Sequence, residues 1–149
     1  MKKVNYKFVL VFVFSLLILS CSDDDKSSTE PNGDLSIDQA LIGTWDLTKI
    51  TTNATGTTLE FTPQQAGIAL TTTFSGDGTF QSTTTTAEGT EVDSGTWGVK
   101  DGSLHILIEG EETETSPYTL NGNVAMLESI VPLTGVGEIP AILEFTKRN

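Results

Sequence analysis

Four carboxylates crowd one short stretch: Glu109, Glu111, Glu112 and Glu114. Ca²⁺ takes its ligands from such oxygens, so this is the first place to look for chemistry. Nothing in the spacing fixes their geometry, and a solvated loop accounts for them. The one histidine, His105, lies between Leu104 and Ile106 and so faces away from them in a strand. A lone histidine cannot build a His-rich metal site, and it reads as solvent-facing or structural. There is no Gly-rich phosphate loop, no His-Glu-x-x-His and no Ser–His pair in a recognisable context. Asp77-Gly78 and Asp101-Gly102 are turn formers first, and Glu91 and Asp93 read the same way. The sequence points to no catalytic residues, no metal and no cofactor, and to a protein that is not an enzyme. What remains is binding through apolar side chains. The candidates for the lining of an interior are Leu70, Phe74, Phe80, Trp97, Ile106, Tyr118 and Leu143.

Those residues sit in short runs with the two-residue period of half-buried strands. The first run opens at Gly43-Thr44-Trp45. Trp45 and Leu47 fall on one face, and Thr44, Asp46 and Thr48 on the other. Strands are expected at residues 44–51, 68–74, 79–87, 95–100, 103–109, 113–120, 123–131 and 141–148. The third is nearly all Thr and Ser after Phe80, which suits a strand but buries little. Pro117 predicts a bulge or an irregular edge in the sixth. Residues 36–41 can make one helical turn, with Ser36 as N-cap and Gln39 completing a capping box. Thr62-Pro63-Gln64-Gln65 carries the same signals and predicts a second short helix.

Tight turns at Gly76-Asp77-Gly78, Asp101-Gly102 and Asn121-Gly122 fall at one end of such an array. Longer connections at 52–67, 88–94 and 132–140 fall at the other. The expected fold is all-β: an eight-stranded antiparallel up-and-down barrel, pinched and stoppered by the helical turn at one end and open at the other. A β-sandwich is the competing architecture.

The chain has 20 acidic and eight basic residues, a net charge of −12. Every acid follows Cys21, whereas Lys2, Lys3 and Lys7 precede it. From Cys21 onward five basic residues face 20 acidic ones, a net charge of −15. Such a surface repels nucleic acid and anionic membranes. The single Cys excludes a disulfide framework and a Cys-rich metal site. Residues 8–19 are apolar except for Ser15, a signal-peptide core too short for a membrane span of about 20 residues.

That core ends in Ile18-Leu19-Ser20-Cys21, which resembles the lipobox of bacterial lipoproteins, with Leu19 a mild departure from the usual small residue. In that family the Cys becomes the acylated N-terminus; an ordinary signal peptide is the plainer alternative. Ser22-Asp23-Asp24-Asp25-Lys26 resembles the surface-export signal of Bacteroidetes lipoproteins, and otherwise is a solvated acidic spacer. The division expected is a signal peptide over residues 1–20, a lipidated acidic tether over 21–35 and one domain over 36–149. The membrane is then touched through the anchor only, at the outer membrane, on the cell surface or facing the periplasm. A monomer is expected.

Gly43-Thr44-Trp45, opening the first strand after a short helical turn, resembles the Gly-x-Trp signature of lipocalins. Phe74-Ser75-Gly76-Asp77-Gly78-Thr79-Phe80 and Ser94-Gly95-Thr96-Trp97 are similar to the small lipocalin-like domains of Bacteroidetes lipoproteins. The likeness covers residues 37–148. The Thr-Asp-Tyr-type motif of larger lipocalins is not recognisable, and no helical pattern follows the last strand. The resemblance implies that Trp45 seals the closed end under a basic side chain from the last strand. Arg148 is the expected partner, because Lys147 shares the face of Leu143 and Phe145. It also implies a cup for a small, partly apolar ligand. The alternative is a filled barrel that contacts a protein or glycan through its loops.

Overall fold

The computed structural model describes residues 34–149, apart from 55, 109–110 and 134–136. The basic segment, the apolar run, Cys21 and the acidic stretch lie outside the described residues. Nine strands follow in order: β1 (Gly43–Ala54), β2 (Thr57–Phe61), β3 (Ile68–Phe74), β4 (Thr79–Thr86), β5 (Gly89–Lys100), β6 (Ser103–Ile108), β7 (Glu114–Asn121), β8 (Val124–Leu133) and β9 (Gly137–Lys147). All neighbours are antiparallel, and β1 also pairs with β9. Trp45 lies opposite Lys147 and Ile50 opposite Leu143. The sheet of β1 and β3–β9 is thus a closed eight-stranded barrel, as the alternation and turn spacing predicted, and closure removes its outer edges.

β2 lies within the 52–67 connection, where residues 58–61 read from the sequence as a short extended piece. It pairs with residues 50–54 of β1, while β3 pairs with residues 43–46 on the same edge. The two act as one interrupted strand, and residues 62–67 loop out between them. The expected second helix is there only as a single turn. Its capping box forms: the Thr62 N–H donates to Gln65 Oε1 at 2.8 Å, and the Gln65 N–H donates to Thr62 Oγ1 at 3.3 Å. One α-turn bond follows, from Ala66 N–H to Thr62 O, and Gly67 ends the turn at φ 69°. Too few residues follow the cap to repay helix nucleation.

The N-terminal turn is also shorter than expected. Ser36 does not cap it; its backbone bridges to Val99 through N–H···O bonds of 3.0 and 2.8 Å. Asp38 takes the capping role, accepting the Ala40 N–H at 2.9 Å, and the Leu41 N–H closes one turn onto Asp38 O.

Two expected loops are strands. β4 and β5 meet through Ala87-Glu88, with Thr86 opposite Gly89, so residues 89–94 pair rather than loop. β8 and β9 pair as far as Leu133 opposite Gly137, so most of 132–140 is ladder. Runs rich in Thr, Glu, Gly and Pro carry little hydrophobic signal, and the hairpin partner holds them extended. The open end therefore bears two long hairpins in place of long loops.

At the other end the turns are tight. Asp101 and Gly102 form a two-residue loop with φ of 51° and 75°, the positive pair that a type I′ hairpin needs. The next loop is Gly122-Asn123, one residue later than Asn121-Gly122, because Asn121 pairs with Val124. A bulge at Thr48 shifts β1 by one residue between Leu47 and Lys49. This lets Trp45, Leu47, Ile50 and Thr52 all face inward, which strict alternation forbids.

Candidate functional site

The interior has two parts. At the closed end Trp45, Phe74, Phe80, Trp97 and Phe145 are buried together with Leu41 and Leu104. Phe74 packs 4.9 Å from Trp97 and 6.4 Å from Phe80, centroid to centroid, with tilted rings. Burying each such side chain contributes about 1.5–3 kcal/mol. Phe74, Phe80 and Trp97, expected as lining, therefore belong to a packed floor. The Trp97 Nε1–H donates to Ser75 O at 3.0 Å and ties the floor to the β3–β4 turn.

Trp45 belongs to the same cluster, 1 % exposed, and its Nε1–H donates to Leu41 O at 2.7 Å. The structure puts Lys147, not Arg148, over the indole. Lys147 Nζ lies 5.3 Å from the ring centroid and donates to Ala40 O at 3.0 Å. Register explains the exchange: Lys147 lies directly opposite Trp45, so the face it shares with Phe145 is the face that meets the indole, and Arg148 is turned outward. Arg148 instead makes a two-pronged pair with Asp46, at 2.5 and 2.6 Å, and Thr71 Oγ1 donates to the same carboxylate at 2.7 Å. The Arg148 bond is the main cause that holds the Asp46 carboxyl below its usual range. Gly43 is needed for this arrangement. It has φ 132°, and a Cβ there would lie 2.7 Å from Lys147 Cε.

Toward the open end the inner face carries Ile50, Leu70, Ile108, Leu127, Val131, Ile139 and Leu143, while Leu47 and Ile106 lie opposite Phe145 and Trp97 at the edge of the floor. Of the expected lining, Leu70, Ile106 and Leu143 are here, each only partly buried. They face inward and pack against the buried cluster without being fully buried themselves. Tyr118 faces the interior too, but its hydroxyl is committed: it donates to Asp38 Oδ2 at 2.8 Å and anchors the N-terminal turn to β7. Burial, followed by the Asp38 bond, pushes its pKa up to about 12.

One wall is polar. Thr72 and Ser82 share a hydrogen bond of 2.9 Å, and Thr52 donates to Pro140 O at 2.9 Å. Both buried threonines are thus satisfied. Sequence reasoning missed Ile50, Leu127, Val131 and Ile139. Alternation from Leu143 and Phe145 would have found Ile139, whereas Ile50 depends on the bulge.

The rim is acidic. Partial burial of the Glu114 side chain, then the charges of Glu111 and Asp93, raise its carboxyl above the ordinary range, although the residue as a whole stays exposed. No basic side chain of the described residues answers it. Lys49 pairs with Glu144 on the outer wall, Lys100 with Asp34, and Lys147 and Arg148 are held at the closed end. His105 faces outward, with Nδ1 3.0 Å from Thr115 Oγ1. It borders a cavity of about 140 Å³ on the outer wall beneath Leu35 and Ile37. Among the described residues no three His, Cys, Asp or Glu side chains gather to hold a metal. None of their helices is long and apolar enough to cross a membrane.

A closed antiparallel barrel with one stoppered end, and an indole beneath a cation at its base, defines a class of cup-shaped domains. A family model described as a lipocalin-like domain matches residues 41–124, more than half of the chain, and the chain belongs to that family. Among solved structures it is similar to the siderocalin Ex-FABP, which is described as functioning through dual ligand specificities. That likeness has 11 % identity and a TM-score of 0.46, and covers 74 % of this chain and 75 % of the other. No curated protein matches the sequence.

Proposed function

We propose that this chain is a lipid-anchored, surface-displayed carrier that holds a small, partly apolar ligand in the upper half of its barrel. The observation that carries the binding role is the incomplete burial of Leu70, Ile106 and Leu143 on the inner face of the barrel. Apolar lining with a few placed polar groups is the usual make-up of small-molecule sites, and eight-stranded barrels have room for one such ligand. The family supports the same role. Anchoring rests on the Cys21 lipobox resemblance, and display on the acidic run after it. Ser36 is fastened to Val99 near the tight turns, so a tether arriving there leaves the rim pointing away from the membrane. The domain works as a monomer without catalysis.

Native mass spectrometry of protein purified from its own host tests the carrier reading. A bound small molecule that leaves on denaturation is the expected result. Empty protein, together with no uptake of the neutral apolar fluorophore N-phenyl-1-naphthylamine, would refute it. Alanine at Asp23–Asp25 should reduce protease access on intact cells, and unchanged access would remove the display role. A second reading is favoured by the packed aromatic floor: the barrel is a rigid support, and its projecting β4–β5 hairpin, where Val92 is 56 % exposed, contacts a partner.

A further inference from the structure

The barrel is laced unevenly. β8 and β9 pair over their whole length, from Val124 opposite Thr146 to Leu133 opposite Gly137. β7 divides its pairing. Residues 114–117 pair with β6, and Tyr118–Asn121 pair with β8. On the β6 side the stagger of the strands explains this, since β6 begins at Ser103 opposite Pro117. On the β8 side it does not. β7 runs back to Glu114 and β8 runs on to Leu133, yet among the described residues no pair forms beyond Tyr118 opposite Leu127.

Were the ladder continued, Pro117 would face Glu128, Ser116 would face Ser129, and Glu114 would face Val131. Proline has no N–H to give at the first of these positions. Inward, small Ser116 and Ser129 leave little side chain to fill the space. Outward, Ile130 stands 49 % exposed. The equally short β1–β3 ladder is covered by β2, which continues along the same edge. Nothing in the described residues plays that part between β7 and β8.

We propose that the interior opens sideways here, and that a slender single-chain amphiphile enters and leaves through this slot. The proposal rests on the carrier reading and names the shape of its ligand. From the Leu143 layer to the Ile139 layer β9 climbs four residues, about 13 Å along the strand and about 10 Å along a tilted barrel axis. The aromatic floor blocks anything deeper. An extended chain longer than that must bend or leave the barrel, and the slot leads it past Tyr118 and Leu127 toward Ile130. An opening one strand spacing across, closed at its lower end by the Tyr118–Leu127 pair, passes a polymethylene chain before it passes a ring system.

Amide hydrogen exchange on the full chain tests the slot itself. Slot-facing amides within residues 128–131 should exchange at least about tenfold faster than the β7-bonded amides within 124–127. Equal protection would mean a zipped wall and overturn the proposal. The role is tested with Ser116→Cys/Ser129→Cys in a Cys21→Ser background, closed by oxidation or by a short bis-maleimide. Closure should slow displacement of N-phenyl-1-naphthylamine by dodecanol about tenfold, with reduction of the disulfide restoring it. Displacement by compact adamantanol should slow less. Unchanged dodecanol rates after closure overturn the slot while leaving the carrier intact. Absence of fluorophore uptake by the unmodified chain overturns the carrier, and exchange at 128–131 still judges the opening.

Discussion

Tyr118 offers a direct reading of how the N-terminal turn is fastened to the barrel. Tyr6 and Tyr118 are the two tyrosines, so from Cys21 onward Tyr118 stands alone and its phenolate absorbance can be followed without overlap. Its pKa of about 12 compares with about 10 for an unfolded tyrosine. For a fully enclosed group such a difference amounts to about 2.7 kcal/mol. Tyr118 is only partly buried, and screening by solvent brings this to about 1 kcal/mol. That agrees with a single hydrogen bond to a charged acceptor. The folded state favours the protonated phenol, so the contribution is complete below about pH 10 and fades as the pH rises toward 12. Urea unfolding followed by tryptophan fluorescence should show Tyr118→Phe less stable by about 1 kcal/mol at neutral pH. The gap should narrow steadily above pH 10. A gap that stays constant to high pH, or a phenolate titration near that of free tyrosine, would show that Tyr118 does not hold Asp38.

Gly43→Ala should lose about 2 kcal/mol or more by the same unfolding assay, because the new Cβ meets Lys147 at a positive φ; Gly43→Ala with Lys147→Ala should recover part of it. Lys147→Ala should cost about 0.5–2 kcal/mol and alter Trp45 emission, whereas Arg148→Ala should leave that emission unchanged. Asp46 has a depressed pKa, so the advantage of the native chain over Arg148→Ala should be present above pH 4 and disappear as the pH falls through the folded value; a gap that persists in strong acid would contradict the pairing. Leu143→Trp should fill the upper interior and abolish N-phenyl-1-naphthylamine uptake with less than about 2 kcal/mol loss of stability from overpacking. Retained uptake would place the fluorophore elsewhere.

Alternation, three tight turns and the Gly-x-Trp opening were legible along the chain and pointed to an eight-stranded antiparallel array, while the pairing of β1 with β9 made it a barrel rather than a sandwich. The legible features are local properties: a two-residue period, a φ that only Gly or Asp tolerates cheaply, a proline that cannot donate. The sequence also placed Leu70, Ile106 and Leu143 on the inner face. Other features were decided by partners distant in sequence. Residues 89–94, 132–133 and 137–140 carry loop composition and become strands because a neighbouring strand satisfies their backbone. The cation over Trp45 is Lys147, since the face of a strand's last residues is fixed by its register with β1, and a one-residue difference sends Arg148 outward to Asp46. Phe74, Phe80 and Trp97 are floor and not lining, because height along the barrel axis depends on how eight registers stagger. Tyr118 meets Asp38 across 80 residues, and no local pattern carries that distance.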